Sequence, residues 1–197
     1  MAKLLHRLNR VKWDAHRPAI LSSGTISNRL SKALNAHRNG DYDTAISIIQ
    51  KIPEWEKDPT ANRVLGHALL GLERFDEALE AHHTAQKLRA VEDPGRIEDE
   101  VNIASVHVGQ KNYVEALDVL EGVLNQEPGY VPAILGQIAI LNRQERDEEL
   151  KVLLTDITRD QPSIWSDETV KRFLNTDTDL LKIRRMVAQI THLEDLI

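Results

Sequence analysis

PTANRVLGHALLGLERFDEALEAHHTAQKLRAVEDP, residues 59–94, is the stretch that decides the fold. Its first half places Gly66 inside an apolar run, and its second half opens on an aromatic residue, Phe75, with Ala78 three positions later. Small side chains at helical spacing let two helices approach closely, and an aromatic ring fills the space beside them. The stretch therefore predicts two antiparallel helices, over residues 59–71 and 75–90.

The pattern of this stretch recurs along the chain. An aromatic residue followed by alanine three positions later occurs at Tyr42 and Ala45, at Phe75 and Ala78, and at Tyr113 and Ala116. The three alanines are about 33 and 38 residues apart, and a proline series, Pro59, Pro94, Pro128 and Pro162, has spacings of about 35, 34 and 34. A period near 34 residues is typical of stacked helix pairs. Proline suits the start of a helix, so each proline separates one unit from the next.

Period and motif together resemble the tetratricopeptide-repeat family. The resemblance covers roughly residues 26–162 and implies an all-α fold, a right-handed α-solenoid of about four helix pairs. Its expected divisions are a basic N-terminal segment and linker (1–25), four repeats (26–58, 59–96, 97–129 and 130–163) and C-terminal capping helices (164–197). The fourth repeat departs from the family pattern, because Arg146 replaces the aromatic residue and Glu149 replaces the alanine. We interpret it as a degenerate terminal repeat.

The predicted helices follow from the same markers. The first repeat has helices near 26–38 and 42–52, the third near 96–109 and 113–126, and the fourth near 130–142 and 146–159. Two further helices, near 168–174 and 178–195, follow Pro162. The last one carries an apolar side, which we expect to cover the fourth repeat, with dimerisation through that side as the alternative.

The N-terminus is basic and amphipathic. Leu4, Leu5, Leu8 and Val11 share one side of a predicted helix over residues 2–14. We interpret this segment as a capping helix or a loose arm. Contact with a membrane or an acidic partner is the alternative, and three helical turns make a weak membrane anchor. No apolar run has the length of a transmembrane helix or a signal-peptide centre, so a cytoplasmic chain is expected.

Composition limits the chemistry. A net charge of -6 disfavours nucleic-acid binding, and the absence of cysteine excludes disulfides and thiolate chemistry. No phosphate-binding, hydrolase or metalloprotease motif occurs. The eight histidines form no convincing metal set: His82 and His83 are adjacent and point about 100° apart on a helix. We therefore expect no enzyme, no cofactor and no metal.

In this family the first helix of each pair lines a concave groove. The resemblance implies that the peptide-binding groove of this chain is lined by Arg38, Arg63, His67, Leu70, Asn102, Ser105, Ile138 and Asn142. Arg63, His67 and Asn102 resemble part of the carboxylate clamp with which some members hold a peptide C-terminus. The clamp is incomplete, because Glu98 stands where a basic residue is required.

The leading hypothesis is a non-catalytic adaptor for protein binding, which holds a peptide or helix of another protein in the groove. One alternative is a scaffold or self-assembly module that forms a homo-oligomer through the terminal helices. Another is that the chain is the N-terminal repeat part of a larger enzyme, such as a glycosyl or sulfuryl transferase. We expect neither nucleic acid nor a membrane among its partners.

Overall fold

The structure, a computed structural model, describes residues 24–176 and 180–191. Within these two ranges it is all-helical, with ten α-helices and two short 3₁₀ turns at Trp55–Lys57 and Pro162–Ser166. The helices are α1 (Gly24–Arg38), α2 (Tyr42–Gln50), α3 (Pro59–Gly71), α4 (Phe75–Leu88), α5 (Gly95–Gly109), α6 (Tyr113–Gln126), α7 (Val131–Arg143), α8 (Asp147–Asp160), α9 (Glu168–Thr176) and α10 (Leu181–Thr191). The predicted helix over residues 2–14 lies outside the described residues, as does the linker after it except for Gly24 and Thr25, which begin α1 where the linker was expected to continue.

The first eight helices form four antiparallel pairs: α1 with α2, α3 with α4, α5 with α6, and α7 with α8. Their bounds agree with the predicted ones to within two residues. The first helices α1, α3, α5 and α7 also pack against one another in chain order. The pairs therefore stack into a two-layer solenoid, with first helices in one layer and second helices in the other.

Every pair is joined by the same turn. The residue two positions before each second helix has a left-handed backbone, with φ of 80° at Gly40, 60° at Glu73, 66° at Lys111 and 55° at Glu145. The next residue donates its backbone N–H across the turn to the carbonyl five positions earlier, as in Arg74 to Leu69 (2.9 Å) and Arg146 to Leu141 (3.1 Å). This is the usual glycine-type termination of a helix, although glycine occurs at one of the four positions. The fourth repeat thus keeps the backbone of its predecessors although its side-chain motif is degenerate.

Aspartates begin several helices. Asp58 accepts backbone N–H bonds from Thr60 (2.7 Å) and Ala61 (3.0 Å) at the start of α3, directly before Pro59. Asp167 caps α9 in the same way. Such caps satisfy donors that have no partner inside the helix. The Asp–Pro pair predicted as a repeat boundary is therefore also the start signal of the next helix.

The apolar core has two parts. One cluster joins the first and second repeats and reaches Val106 of α5; the other joins the third and fourth repeats with the C-terminal helices. The two parts meet at the junction of α3 and α4 with α5. Buried polar side chains gather at this junction, among them Arg63, His82 and Asp99.

The C-terminal helices cover the end of the solenoid, as predicted. Ile183 and Val187 of α10 are fully buried, and α10 packs against α8. Helix α9 packs against α7, with Val170 and Phe173 buried. The apolar side of α10 is therefore used within the chain. None of the described helices has the length and apolar character needed to cross a bilayer.

Gly66 marks the tightest contact within the second repeat. A Cβ atom at this position would stand 2.6 Å from Nε2 of His82, which is fully buried and has no room to withdraw. We predict that Gly66→Ala lowers the free energy of unfolding by about 1–3 kcal/mol, because overpacking outweighs the better helix propensity of alanine.

The matched control is Gly122→Ala in α6, where a Cβ would meet nothing within 4 Å. There the propensity gain of up to about 1 kcal/mol is unopposed. Urea denaturation followed by circular dichroism measures both variants. Equal effects of the two substitutions would show that the Gly66 contact is not limiting.

Candidate functional site

The predicted groove residues all lie on first helices or at their ends. Arg38 ends α1, and Asn142 lies in the last turn of α7. Between them α3 carries Arg63, His67 and Leu70, α5 carries Asn102 and Ser105, and α7 carries Ile138. Because these four helices pack side by side, their sides that face away from the second helices form one continuous surface, which we call the concave wall.

Most of these residues are buried. The exposed fractions are 6% for Arg63, 5% for His67 and Leu70, 4% for Asn102, 2% for Ser105 and 0% for Ile138. Arg38 and Asn142, at the two ends of the wall, are partly exposed. The middle of the wall thus presents little surface to water in this structure, and the peptide-binding role of its residues stays a prediction.

Arg63 is held by contacts within the chain. Its Nε donates to Asp99 Oδ1 (2.5 Å), its Nη2 donates to the carbonyl of Gly95 (2.7 Å), and its Nη1 pairs with Glu98. Burial lowers the pKa of Arg63, but the attraction of Asp99 and Glu98 outweighs this effect and raises it overall. Arg63 is therefore a permanent cation that ties α3 to the start of α5, a different task from the ligand donor that the sequence suggested.

Asp99 is the centre of this network. Its side chain has no exposure to water, and its second oxygen accepts a bond from Arg89 Nε (2.7 Å). Arg89 also pairs with Asp93 (3.2 Å), which in turn accepts the backbone N–H of Gly95 (2.7 Å). Burial raises the pKa of Asp93, but these two hydrogen bonds lower it overall. One buried carboxylate thus joins two arginines from the second repeat to the third.

Sequence reasoning missed Asp99 and Arg89. The available signal was an aspartate beside the apolar residues Val101, Ile103 and Ala104 of α5, where a charge is rarely buried without a partner. Arg89 directly follows α4, at a position where the sequence predicted the last turn of a helix over residues 75–90, so no motif pointed to its partner.

Three histidine rings contact one another in series next to this network. The ring centroids of His37 and His67 are 5.7 Å apart, and those of His67 and His82 are 5.1 Å apart. His82 is fully buried, and neither ring nitrogen has a hydrogen-bond partner. Burial, aided by Arg63 and His83, lowers the pKa of His82 to about 3, so its ring is neutral at physiological pH. Among the residues that the structure describes, no group of histidines and carboxylates has the arrangement of a metal site.

Two clefts lie elsewhere, between consecutive second helices. One, of about 370 Å³, is lined by α2, α3 and α4, and the other, of about 470 Å³, by α6, α7 and α8. Both have acidic rims, with Glu77 and Glu80 in the first and Glu148 and Glu149 in the second. They occupy equivalent positions in the two halves of the solenoid, on the side opposite to the concave wall.

Asp99→Asn tests the network. The substitution keeps the shape of the side chain but leaves the buried cations Arg63 and Arg89 without their shared counter-charge. We predict a loss of about 3–5 kcal/mol in the free energy of unfolding, measured by urea denaturation.

Glu77→Gln is the matched control, because Glu77 also binds an arginine, Arg74, through both carboxylate oxygens but lies in water. Its effect on unfolding is expected to be far smaller. Similar losses for the two variants would contradict the assignment of Asp99 as the central ion of the junction.

His82 makes stability depend on pH. Its pKa of about 3 in the folded chain lies below the unfolded value near 6.5, so the unfolded chain binds the extra proton between these values. The free energy of unfolding therefore falls as the pH decreases through the unfolded value, and His82 alone lowers it by about 2 kcal/mol between pH 7 and pH 5. His82→Leu is expected to remove most of this decline, and His83→Leu, at an exposed neighbouring position, to retain it. Urea denaturation midpoints measured across this pH range test the prediction. If the midpoint of His82→Leu fell with pH as steeply as that of the unmodified chain, His82 would not be the source of the pH dependence.

The architecture has clear counterparts among solved structures. YrrB, described as a tetratricopeptide-repeat (TPR) protein with an unusual peptide-binding site, aligns with a TM-score of 0.51 and 14% identity over 85% of this chain and 87% of that one. The MamA RS-1 ArsTM double mutant aligns with a TM-score of 0.56 and 19% identity over 89% of this chain and 97% of that one. TTC0263, a thermophilic TPR protein of Thermus thermophilus, aligns with a TM-score of 0.55 and 18% identity over 87% of this chain and 94% of that one. No protein-family model and no curated protein matches the sequence. The chain therefore has the fold of TPR proteins, a right-handed α-solenoid.

Proposed function

We propose that this protein is a non-catalytic interaction adaptor that binds a peptide or helix of another protein along its concave wall. The observation that carries the proposal is the uninterrupted packing of α1, α3, α5 and α7 side by side. A wall of parallel helices offers a long, shallow track of alternating ridges and grooves, which suits an extended peptide or an amphipathic helix.

The structural comparisons support this direction. YrrB is described as having a peptide-binding site, and this chain shares its solenoid fold. Fold likeness alone does not define a ligand, so the chemistry of the ligand must come from the wall itself.

The wall favours a ligand with apolar and basic side chains. Leu70 and Ile138 are apolar side chains that lie buried in the wall, whereas Arg63 is committed to Asp99 and Glu98 and does not serve as a clamp for a terminal carboxylate. Beside the wall, burial and the nearby carboxylates of Glu98 and Glu127 raise the pKa of Tyr130 above its usual range. Glu98 is paired with Arg63, whereas Glu127 is exposed and would attract a lysine or arginine side chain of a partner.

The proposed ligand contacts therefore fall into two groups, one partly exposed and one buried. Arg38 and Asn142, partly exposed at the ends of the wall, make the first polar contacts. His67, Asn102 and Ser105 lie deeper and would contact a ligand that settles between the first helices. Self-assembly is the weaker alternative, because the apolar residues of α10 that could join two copies are buried within the chain.

A displayed library of random peptides selected on the full chain tests the proposal. The groove variant is the pair Arg38→Ala and Asn142→Ala. The control is the pair Lys87→Ala and Asn125→Ala, which are exposed on the second helices α4 and α6. We expect selected peptides to bind the groove variant at least tenfold more weakly, since two lost polar contacts are worth about 1 kcal/mol each.

The control variant should bind within twofold of the unmodified chain, as measured by fluorescence anisotropy. Failure to select any peptide, or an equal loss on both variants, would refute binding at the concave wall.

A further inference from the structure

The middle first helices have no side that faces water. In α3, eleven consecutive residues from Thr60 to Leu70 are buried, and eleven residues cover all sides of a helix about three times. In α5, Val101–Val106 are likewise all buried. The second helices differ, because α4 exposes residues such as Glu80 and Lys87 to solvent. A bare solenoid should expose the concave side of its first helices as well.

The described elements account for the other sides of α3. Those that pack against it are α1, α2, α4, α5 and the turn at Trp55–Lys57, all from its own or an adjoining repeat. Within a solenoid such neighbours lie beside and behind a first helix. The burial of the concave side therefore points to a further occupant of the concave wall.

The chain itself supplies a segment of suitable length. Residues 1–23 precede α1, which is the first of the four helices in the wall. Thirteen residues, 2–14, would span about 20 Å as a helix, and packed helices are about 8–10 Å apart. The segment could therefore reach across the wall from α1 to α3 and α5 without a long connection.

Its chemistry also matches. Residues 1–23 contain five of the 25 lysines and arginines but one of the 31 aspartates and glutamates, so residues 24–197 carry 20 basic and 30 acidic side chains. Leu4, Leu5, Leu8 and Val11 supply the apolar set. Leu70 and Ile138 of the wall are apolar and buried, and the exposed carboxylate of Glu127 lies beside the wall, so hydrophobicity and charge both favour association.

We propose that residues 2–14 bind the concave wall of their own chain and compete with partner proteins for it, an inference that rests on the binding role proposed above. The segment acts as a built-in competitor, and the partner must displace it. A partner peptide with leucines and basic residues in a similar pattern would be the best substitute. Apparent partner affinity is then reduced by the fraction of chains in which the segment is bound.

Paramagnetic broadening of amide NMR signals tests the contact in the full chain. The chain has no cysteine, so a nitroxide can be attached at one place through His6→Cys, outside the apolar set. We expect the amide signals of Leu70, Asn102 and Ser105 to broaden, and those of Val114 and Val152, exposed on second helices, to remain. Attaching the nitroxide through Asn125→Cys is the control that should leave the wall signals unchanged.

Adding Leu5→Glu and Leu8→Glu to the labelled chain should abolish the broadening, whereas Lys3→Gln and Arg7→Gln should weaken it and make the remaining broadening less sensitive to salt. No selective broadening at the wall would overturn the proposal. Broadening that passes between a nitroxide-labelled chain and a separate isotope-labelled chain would also overturn it, since the occupant would then be a second copy.

Peptide binding separates this proposal from the adaptor function. A peptide selected on the wall should bind the Leu5→Glu, Leu8→Glu chain at least fivefold more tightly than the unmodified chain. Equal affinity would refute internal competition and leave the adaptor function intact. Wall broadening without any peptide that binds the Leu5→Glu, Leu8→Glu chain would instead refute the adaptor function and leave the internal contact intact.

Discussion

A carboxylate without access to water sets the relation between the two halves of this solenoid. Arg63 of α3 and Arg89, directly after α4, both bind this carboxylate of Asp99 from the preceding repeat. A buried charge is costly unless its partners are well placed, so the second and third repeats must keep one particular spacing and rotation. The ion network adds directional constraints that apolar packing alone would not impose.

The apolar core divides at the same place. One cluster ends near Val106 and the other begins near Val101, so the ionic junction lies where the two meet. The three histidines belong to this junction as well, since His82 packs against Gly66, and its pKa is lowered by burial and by the nearby Arg63. Each half of the array thus has its own hydrophobic centre, and polar groups specify how the halves fit together.

The sequence predicted the helices well because their signals are local or periodic. Pro59 after Asp58, and the pairing of Phe75 with Ala78, are read from a few residues each, and the 34-residue period repeats them. The network around Asp99 was not predictable in this way. Arg63 and Asp99 are 36 residues apart, and their contact depends on side-chain conformations and on the offset between neighbouring repeats. For the same reason Arg63 was expected to serve a ligand.

The shared turn suggests which parts of this protein are modular. Gly40, Glu73, Lys111 and Glu145 give every helix pair the same hairpin, so a pair carries its own connection wherever it is placed. The ion network at Asp99, in contrast, occurs only between the second and third repeats among the described residues. In a chimaera, the second and third repeats would have to be transplanted as a single block.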